Sequence, residues 1–233
     1  MRPLKAELHA HAKGDPAHAL SYTVKDLIDA AHKHHYQVLA VTFHDKVFEG
    51  PKFRRMQAYA KKKNILLIPG CEATIEKRHT LIYNITERER KRIKTFRDLR
   101  RLRKEKMQRG EEMLVIAPHP FFSTPLIARH CLGRKLIGNI DIFDAIEYSF
   151  FYLKRYNKNK RAMRIAKRYL KPVVGNADIH VLENLNFTYT MINSEKTVEG
   201  VIRAIKQGDI TLVTKPLKVR HLAKLAYFYS YKS

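Results

Sequence analysis

The most constraining feature of this chain is where its histidines and carboxylates fall. Short apolar runs alternate with amphipathic stretches, and almost every run ends in a side chain that can hold a metal ion. Leu4 to His11 reads as a strand closing on His9 and His11. Val38 to Phe43 runs into His44 and Asp45, Ile65 to Ile68 is followed by Glu72, and Met113 to Ala117 by His119. Phe143 to Tyr148 carries Glu147 near its end, and Pro172 to Gly175 leads to Asp178 and His180. His79 fits the rule less well, because it opens the run Thr80 to Ile85 instead of closing one. In parallel α/β barrels the C-terminal strand ends form one rim, and chemistry gathers there. Random placement would scatter these groups over helices and loops.

Between the runs lie helical patterns. Thr23 is a good N-cap for a helix from Val24 to about His35, with Leu27, Ile28, Ala30 and Ala31 inward. Further helices are expected over Lys52–Lys63, Glu87–Gln108, Asn157–Leu170 and Val198–Gln207, and strands over Thr188–Ile192 and Ile210–Val213. Strands alternating with helices imply a parallel α/β architecture. The pattern alone does not choose between a barrel and an open sheet. The 233 residues hold no linker, low-complexity segment or clear repeat, so a single domain spanning 1–233 is expected.

Imidazole and carboxylate together suit zinc, manganese or iron, not a calcium cage. The candidates outnumber the four ligands of a structural zinc site, which points to two or three divalent ions sharing a bridging carboxylate. Two ions ~3.5–4 Å apart lower the pKa of a water between them and clamp the oxygens of a phosphoester. His9 and His11, two apart on a strand, present both rings to one side. The remaining histidines, His18, His32, His34, His35, His130 and His221, are expected at mostly solvated positions.

Charge adds a second constraint. Lysine and arginine total 46 against 22 acids, a formal charge of +24. Such an excess favours polyanions such as nucleic acid or nucleotides and says little about fold. It is concentrated in Glu87–Arg109 and in Lys154–Lys171, the latter without any acid and flanked by Phe150, Phe151, Tyr152 and Tyr156. Basic groups beside aromatic rings suit single strands, whose bases stack; a solvated helix face with core aromatics is the alternative. The run from Tyr227 to Tyr231, after Lys215, Lys218, Arg220 and Lys224, poses the same choice. Cys71 and Cys131 form no C-x-x-C motif, and no apolar run approaches the ~20 residues a membrane helix needs. With no apolar signal core at the N-terminus, a soluble cytoplasmic protein is expected.

The motifs resemble those of the polymerase-and-histidinol-phosphatase (PHP) family. The matching pieces are Glu-Leu-His-Ala-His over 7–11, Thr-Phe-His-Asp over 42–45, Pro-Gly-Cys-Glu over 69–72, Ala-Pro-His-Pro over 117–120 and Gly-Asn-Ala-Asp-Ile-His over 175–180. They come in the family's order, and 181–233 resembles the C-terminal segment associated with short members. The resemblance implies a distorted (β/α)7 TIM-like barrel with a di- or trinuclear site that hydrolyses phosphoesters. One ion would take His9, His11, Glu72 and Asp178. Glu72 would bridge to a second ion held by His79 and His119, and a third would use His44, His180 and a ligand near Asp15. The family usually has aspartate where Phe43 stands. It also carries a histidine or aspartate five or six residues after the second opening histidine, whereas Asp15 here is four and His18 seven residues after His11.

The implied reaction is hydrolysis by a hydroxide bridging the metals, with Glu72 and Asp178 in the catalytic site. Asp45 is a candidate to orient the water or protonate the leaving group, or else to make a simple hydrogen bond behind the ligands, and Glu147 is expected behind the ligands too. Lys13, Lys46 and Arg78 neighbour ligands in sequence and are candidates to bind phosphate. Two long basic stretches favour nucleic acid or nucleotides as substrate. A small monoester such as histidinol phosphate stays open. So do amide hydrolysis of the amidohydrolase type and a noncatalytic RNA-binding barrel like the ribonuclease P subunit.

Overall fold

The strand Val38–His44 shows how the sequence builds the wall of the fold. Every residue in it is buried, and alternate side chains go to opposite faces. Leu39, Val41 and Phe43 pack outward against a helix, while Val38 and Ala40 join an apolar cluster inside the sheet. Thr42 and His44 continue the inner row, so one strand passes from an apolar end to a polar one. The same inner cluster draws on Ile68, Leu81, Ile116, Ala145 and Val174 from other strands, as expected for a barrel interior.

The computed structural model describes residues 2–121 and 130–218. Its elements are β1 (Leu4–Glu7), α1 (Val24–Lys33), β2 (Val38–His44), α2 (Gly50–Lys62), β3 (Leu66–Ile75), β4 (Arg78–Tyr83), α3 (Glu87–Arg92), α4 (Phe96–Gln108) and β5 (Leu114–Ala117), then α5 (Lys135–Gly138), β6 (Ala145–Ser149), α6 (Asn159–Arg168), β7 (Val173–Asn176), β8 (Thr188–Ile192), α7 (Val198–Gln207) and β9 (Ile210–Thr214). One sheet runs in the order β7-β6-β5-β4-β3-β2-β1-β8-β9. Beyond β1 and β7 the chain pairs again: His11 N–H donates to Ile179 O and Ile179 N–H to His9 O, at 3.1 and 3.0 Å. That ladder closes the wall at the end carrying His9 and His11. The result is a nearly closed, distorted barrel of seven strands, with β8 added antiparallel to β1 and β9, which follows α7, antiparallel to β8. Val201, Ile202 and Ile205 of α7 join the inner cluster.

The sheet is mixed, and the departure from a parallel arrangement lies at β4. It is antiparallel to both β3 and β5. Glu76 and Lys77 form the two-residue turn between β3 and β4 with φ of 47° and 66°, the positive values that a type I′ hairpin demands. β3 does not stop at Pro69-Gly70, as expected, but continues to Ile75, so Glu72 lies within the strand. Gly70 is there for space: a Cβ would sit 2.9 Å from Thr42 Cγ2 and from the ring of Tyr83, which crosses the interior to donate to Leu8 O. The helix expected over Glu87–Gln108 is two helices. Thr95 starts the second with a capping box to Asp98, which ends the first at Arg92. Cys71 and Cys131 are not joined in a disulfide, and the run from Tyr227 to Tyr231 lies outside the described residues.

Candidate metal centre

Antiparallel β4 explains the anomalous histidine. His79 opens its strand, but because β4 runs backwards its start lies on the same rim as the C-terminal ends of β2 and β3, where Thr74 pairs with His79. His9, His11, His44, His79, His119, His180, Glu72 and Asp178 therefore all reach one end of the barrel. The backbone bends sharply to deliver them. Asp178 and His119 take positive φ, 43° and 27°, a conformation that costs a non-glycine residue roughly 1–2 kcal/mol. A hydrogen bond from His119 N–H to Glu147 Oε1, 3.0 Å, offsets part of that cost.

Glu72 is the hub. Its Oε2 lies 3.1 Å from His9 Nε2, 3.3 Å from His11 Nε2 and 3.1 Å from His44 Nε2. Its Oε1 lies 2.8 Å from His79 Nδ1 and 3.0 Å from His119 Nε2. The two oxygens thus sort the rings into two groups, as a bridging carboxylate would. Asp178 Oδ1 stands 3.3, 3.4 and 3.2 Å from ring nitrogens of His9, His11 and His180. Three ligand sets emerge: His9, His11, Glu72 and Asp178; His44, Glu72 and His79; and His11, His44 and His180.

The far sides of three rings are tied down. His9 Nδ1 meets Glu147 Oε2 at 2.9 Å, His11 Nδ1 meets Asp15 Oδ2 at 2.7 Å, and His44 Nδ1 meets Asp15 at 3.1 Å. A carboxylate on Nδ1 fixes the tautomer whose Nε2 lone pair faces the centre, as behind metal-bound imidazoles. Asp15 thus stands behind His11 and His44 and also accepts from Ala17 N–H. His18 is half-buried, with its ring 5.0 Å from His44 and 4.6 Å from His180. Its buried Nδ1 has no hydrogen-bond partner. His130 is also half-buried, stacked 4.7 Å from His79. His9, His11 and Glu147 are fully buried, so the centre is dry at its base.

These distances test whether metal ions fit. His11 Nε2, His79 Nδ1 and Asp178 Oδ1 are buried without a hydrogen bond, although each approaches another polar atom closely. Atoms aimed at a shared point between them, not at each other, show this combination. With metal–nitrogen bonds of ~2.0–2.1 Å, ligand atoms on one ion lie about 3–3.4 Å apart, and the observed contacts match. Without ions, several buried imidazoles crowd two carboxylates, and burying each charge costs several kcal/mol. Burial opposes protonation of His11 and His44, yet the carboxylates around them hold their pKa values up at about 10 and about 9. Glu72 is held well below the usual range, against the cost of burial, by His79, His9 and His44. Burial, with His180, His44 and His11 nearby, lowers His18 to about 4, so its ring is neutral and free to ligate. The donor set fits divalent transition-metal ions.

Other expected site residues fall outside this ring. Asp45 is exposed; its Oδ1 accepts from Thr74 N–H at 2.8 Å, which turns the carboxylate onto the β3 backbone. Lys13 and Lys46 are exposed beside the ligand loops, and Lys46 Nζ reaches Gly14 O at 3.4 Å. Arg78 is half-buried, with Nη1 on Cys131 O at 3.0 Å. Glu7 had no assigned role, yet it is buried under the centre, accepting from the N–H groups of His9 and Ala177.

Comparison with known proteins places this geometry. A family model described as PHP-associated matches residues 157–210. The matched segment includes Asp178 and His180 of the site. Among solved structures, this chain is similar to a two-domain protein from Bacteroides vulgatus containing a predicted PHP-like metal-dependent phosphoesterase (TM-score 0.69, 18% identity, 91% of this chain and 65% of that one). It therefore spans about two thirds of that protein's length. It is also similar to PsfC from Pseudomonas syringae (TM-score 0.66, 16% identity, 98% of both chains). A third similar structure is the lesion-specific endonuclease EndoQ from Pyrococcus furiosus (TM-score 0.59, 14% identity, 97% of this chain and 66% of that one). No curated protein matches by sequence. Among the described residues no helix is long and apolar enough to cross a membrane.

Proposed function

We propose that this chain is a metal-dependent phosphoesterase acting on nucleic acid. The observation that carries the reading is the division of ring nitrogens around Glu72, with carboxylates fixing the outer nitrogens of His9, His11 and His44. Structural zinc sites saturate at four ligands, whereas this ring offers more donors than one ion can use. Bound divalent ions would supply a water of lowered pKa and neutralise phosphoryl oxygens. His9, His11, Glu72 and Asp178 would hold one ion, Glu72, His79 and His119 a second, and His44, His180 and His18 a third. Asp15 and Glu147 keep the rings aimed, and Lys13 and Lys46 attract the phosphate from the rim.

Nucleic acid as substrate is supported by the charge of +24 and by the fold shared with an endonuclease captured on a 27-mer duplex with an abasic lesion at its active site. A noncatalytic RNA-binding barrel would need neither Glu72 as hub nor the fixed tautomers. The test is hydrolysis of bis(p-nitrophenyl) phosphate and of a 5′-labelled oligonucleotide after loading with manganese, beside His9→Ala and Asp178→Ala. Metal-dependent cleavage of both esters, lost in both variants, is expected. Cleavage of bis(p-nitrophenyl) phosphate but not of the oligonucleotide would remove nucleic acid from the reading. No turnover and no bound metal would overturn it.

A further inference from the structure

The two basic stretches differ in what surrounds them. In α3 and α4 the cations have acids to meet. Arg100 makes a bidentate pair with Asp141 at 2.8 Å, Arg103 pairs with Asp144, and Arg92 pairs with Glu105 at 2.8 Å. Lys106 and Arg109 share Glu89 and Glu111. Much of that charge is cancelled before a partner arrives.

Around α6 no ion pair among the described residues cancels it. No acid lies between Glu147 and Asp178 in sequence. Lys154, Arg155, Lys158, Lys160, Arg164 and Lys167 are exposed, and among the described residues none of the cations from Lys154 to Lys171 is in an ion pair. The remaining segments, 122–129 and 219–233, hold no acidic side chain either. Asp141 and Asp144, the acids just before β6, are already taken by α4.

Position completes the argument. Glu147 of β6 touches His9, and loop 150–158 leaves the same strand end two residues later, so the basic stretch begins on the rim of the metal centre. Asn159 fastens the start of α6 there through bonds to Ser149 N–H and O at 3.0 and 2.8 Å. In the first turn, the Arg161 guanidinium lies 4.5 Å over the ring of Phe121, two residues past His119. Arg164, Lys167 and Arg168 follow at helical spacing on the same exposed face. Phe150 and Tyr152 are buried in the core while Tyr156 is exposed, so the face offers many cations and one open ring.

We propose that the exposed face of α6, with loop 150–158, binds the sugar-phosphate backbone of a nucleic-acid strand and leads it to the metal centre, whereas α3–α4 does not. The substrate role rests on the phosphoesterase reading; the binding surface does not require it. Two alanine triples remove equal charge: Arg164→Ala/Lys167→Ala/Arg168→Ala on α6, and Lys94→Ala/Arg97→Ala/Lys104→Ala on α4 and the turn that leads into it, all exposed positions. The full chain is titrated onto a labelled 20-mer single-stranded DNA with phosphorothioate linkages, by fluorescence anisotropy, across a salt series. The α6 triple is expected to weaken binding at least tenfold. It should reduce the slope of log affinity against log salt by about 2, since each lost phosphate contact on a single strand is worth ~0.7. The α4 triple should stay within about twofold. Arg164→Lys/Arg168→Lys, which keeps the charge, should bind like the parent and guards against a folding defect. Equal losses from both triples, or none from α6, would overturn the proposal. Parallel assays with bis(p-nitrophenyl) phosphate separate the two readings. Parent protein that binds DNA through α6 but cleaves no ester sinks the phosphoesterase and leaves the surface. Ester cleavage with an α6 triple that binds normally does the reverse.

Discussion

The rings of His9, His11 and His44 meet carboxylates on two sides, and the two sides are built differently. Inside the ring, the Glu72 and Asp178 side chains meet imidazole nitrogens. Outside it, Asp15 also accepts from the N–H groups of Ala17 and His44, and Glu147 from His119 N–H and Asn176 Nδ2. The outer carboxylates are held by the fold whatever the rings do. The inner ones depend on groups that trade a proton for a metal ion. The difference separates residues that would bind the ion from residues that aim the ligands.

Glu72 gives the largest test of that division. Glu72→Gln keeps the shape but loses the charge that both ion positions share. Ester turnover should fall roughly 10³-fold or more, since losing several kcal/mol of metal-derived stabilisation at 1.36 kcal/mol per decade reaches that range. Bound metal, counted by elemental analysis, should drop with it. A variant with full metal and near-parental turnover would erase the distinction between hub and support.

The outer carboxylates should respond more gently. Asp15→Asn and Glu147→Gln are expected to weaken metal binding by about 10–100-fold, the usual cost of removing a group behind a ligand. Excess metal should restore most of the turnover, with the same number of ions per chain. If Asp15 were itself a ligand, its variant would lose one ion outright at any concentration tested. His18→Ala is the contrasting control, expected to lose the third ion and keep the other two.

Titration distinguishes the metal-free and loaded states. His11 and His44, raised to about 10 and about 9 from an ordinary value near 6.5, favour the folded metal-free protein through their protonated forms. A raised histidine contributes fully below the unfolded pKa, and the contribution is lost as pH rises through the folded one. The metal-free chain should therefore lose stability between about pH 6.5 and 10, from these groups. Metal binding must expel the same protons, so the stabilisation it adds should grow with pH over that window. Thermal midpoints with and without manganese across the range should diverge as pH rises; parallel curves would mean that the ions do not use these rings.

Much of this was legible because strands obey a two-residue period and barrels gather their C-terminal ends. His9, His11, His44, His119 and His180 could be placed by that rule alone. His79 could not, because its position depends on the direction of β4, which is set by the turn at Glu76 and Lys77, residues with no glycine or asparagine to announce a type I′ hairpin. The split between α3 and α4 was announced, by Thr95 and Asp98 at capping-box spacing, but the continuous run of cations masked it. His18 and Asp15 lie on a loop after β1, where spacing carries no information about direction. Only the folded loop shows Asp15 turning to the backs of two rings while His18 comes beside the rings of His44 and His180. The pairing of Arg100 and Arg103 with acids some forty residues away was equally hidden, so two basic stretches of similar composition have different surfaces.

Asp45 provides the smallest and most discriminating test. It directly follows a ring histidine, and its place in the sequence suits a general acid. In the structure its carboxylate accepts from Thr74 N–H and its backbone takes φ of 48°, from which we infer a supporting role despite its neighbour. Asparagine keeps both features, because its amide oxygen can accept the same bond and asparagine tolerates that backbone region. Asp45→Asn should therefore leave turnover within about threefold and stability within a few tenths of a kcal/mol, whereas loss of a general acid typically costs 10²–10⁴-fold. Asp45→Ala gives up the bond to Thr74 as well and should cost about 1 kcal/mol of stability, with turnover again little changed. A hundredfold loss of turnover in the asparagine variant, with metal content intact, would mean that Asp45 swings from Thr74 to the leaving group during the reaction. The line between aiming and reacting residues would then have to be redrawn to include it.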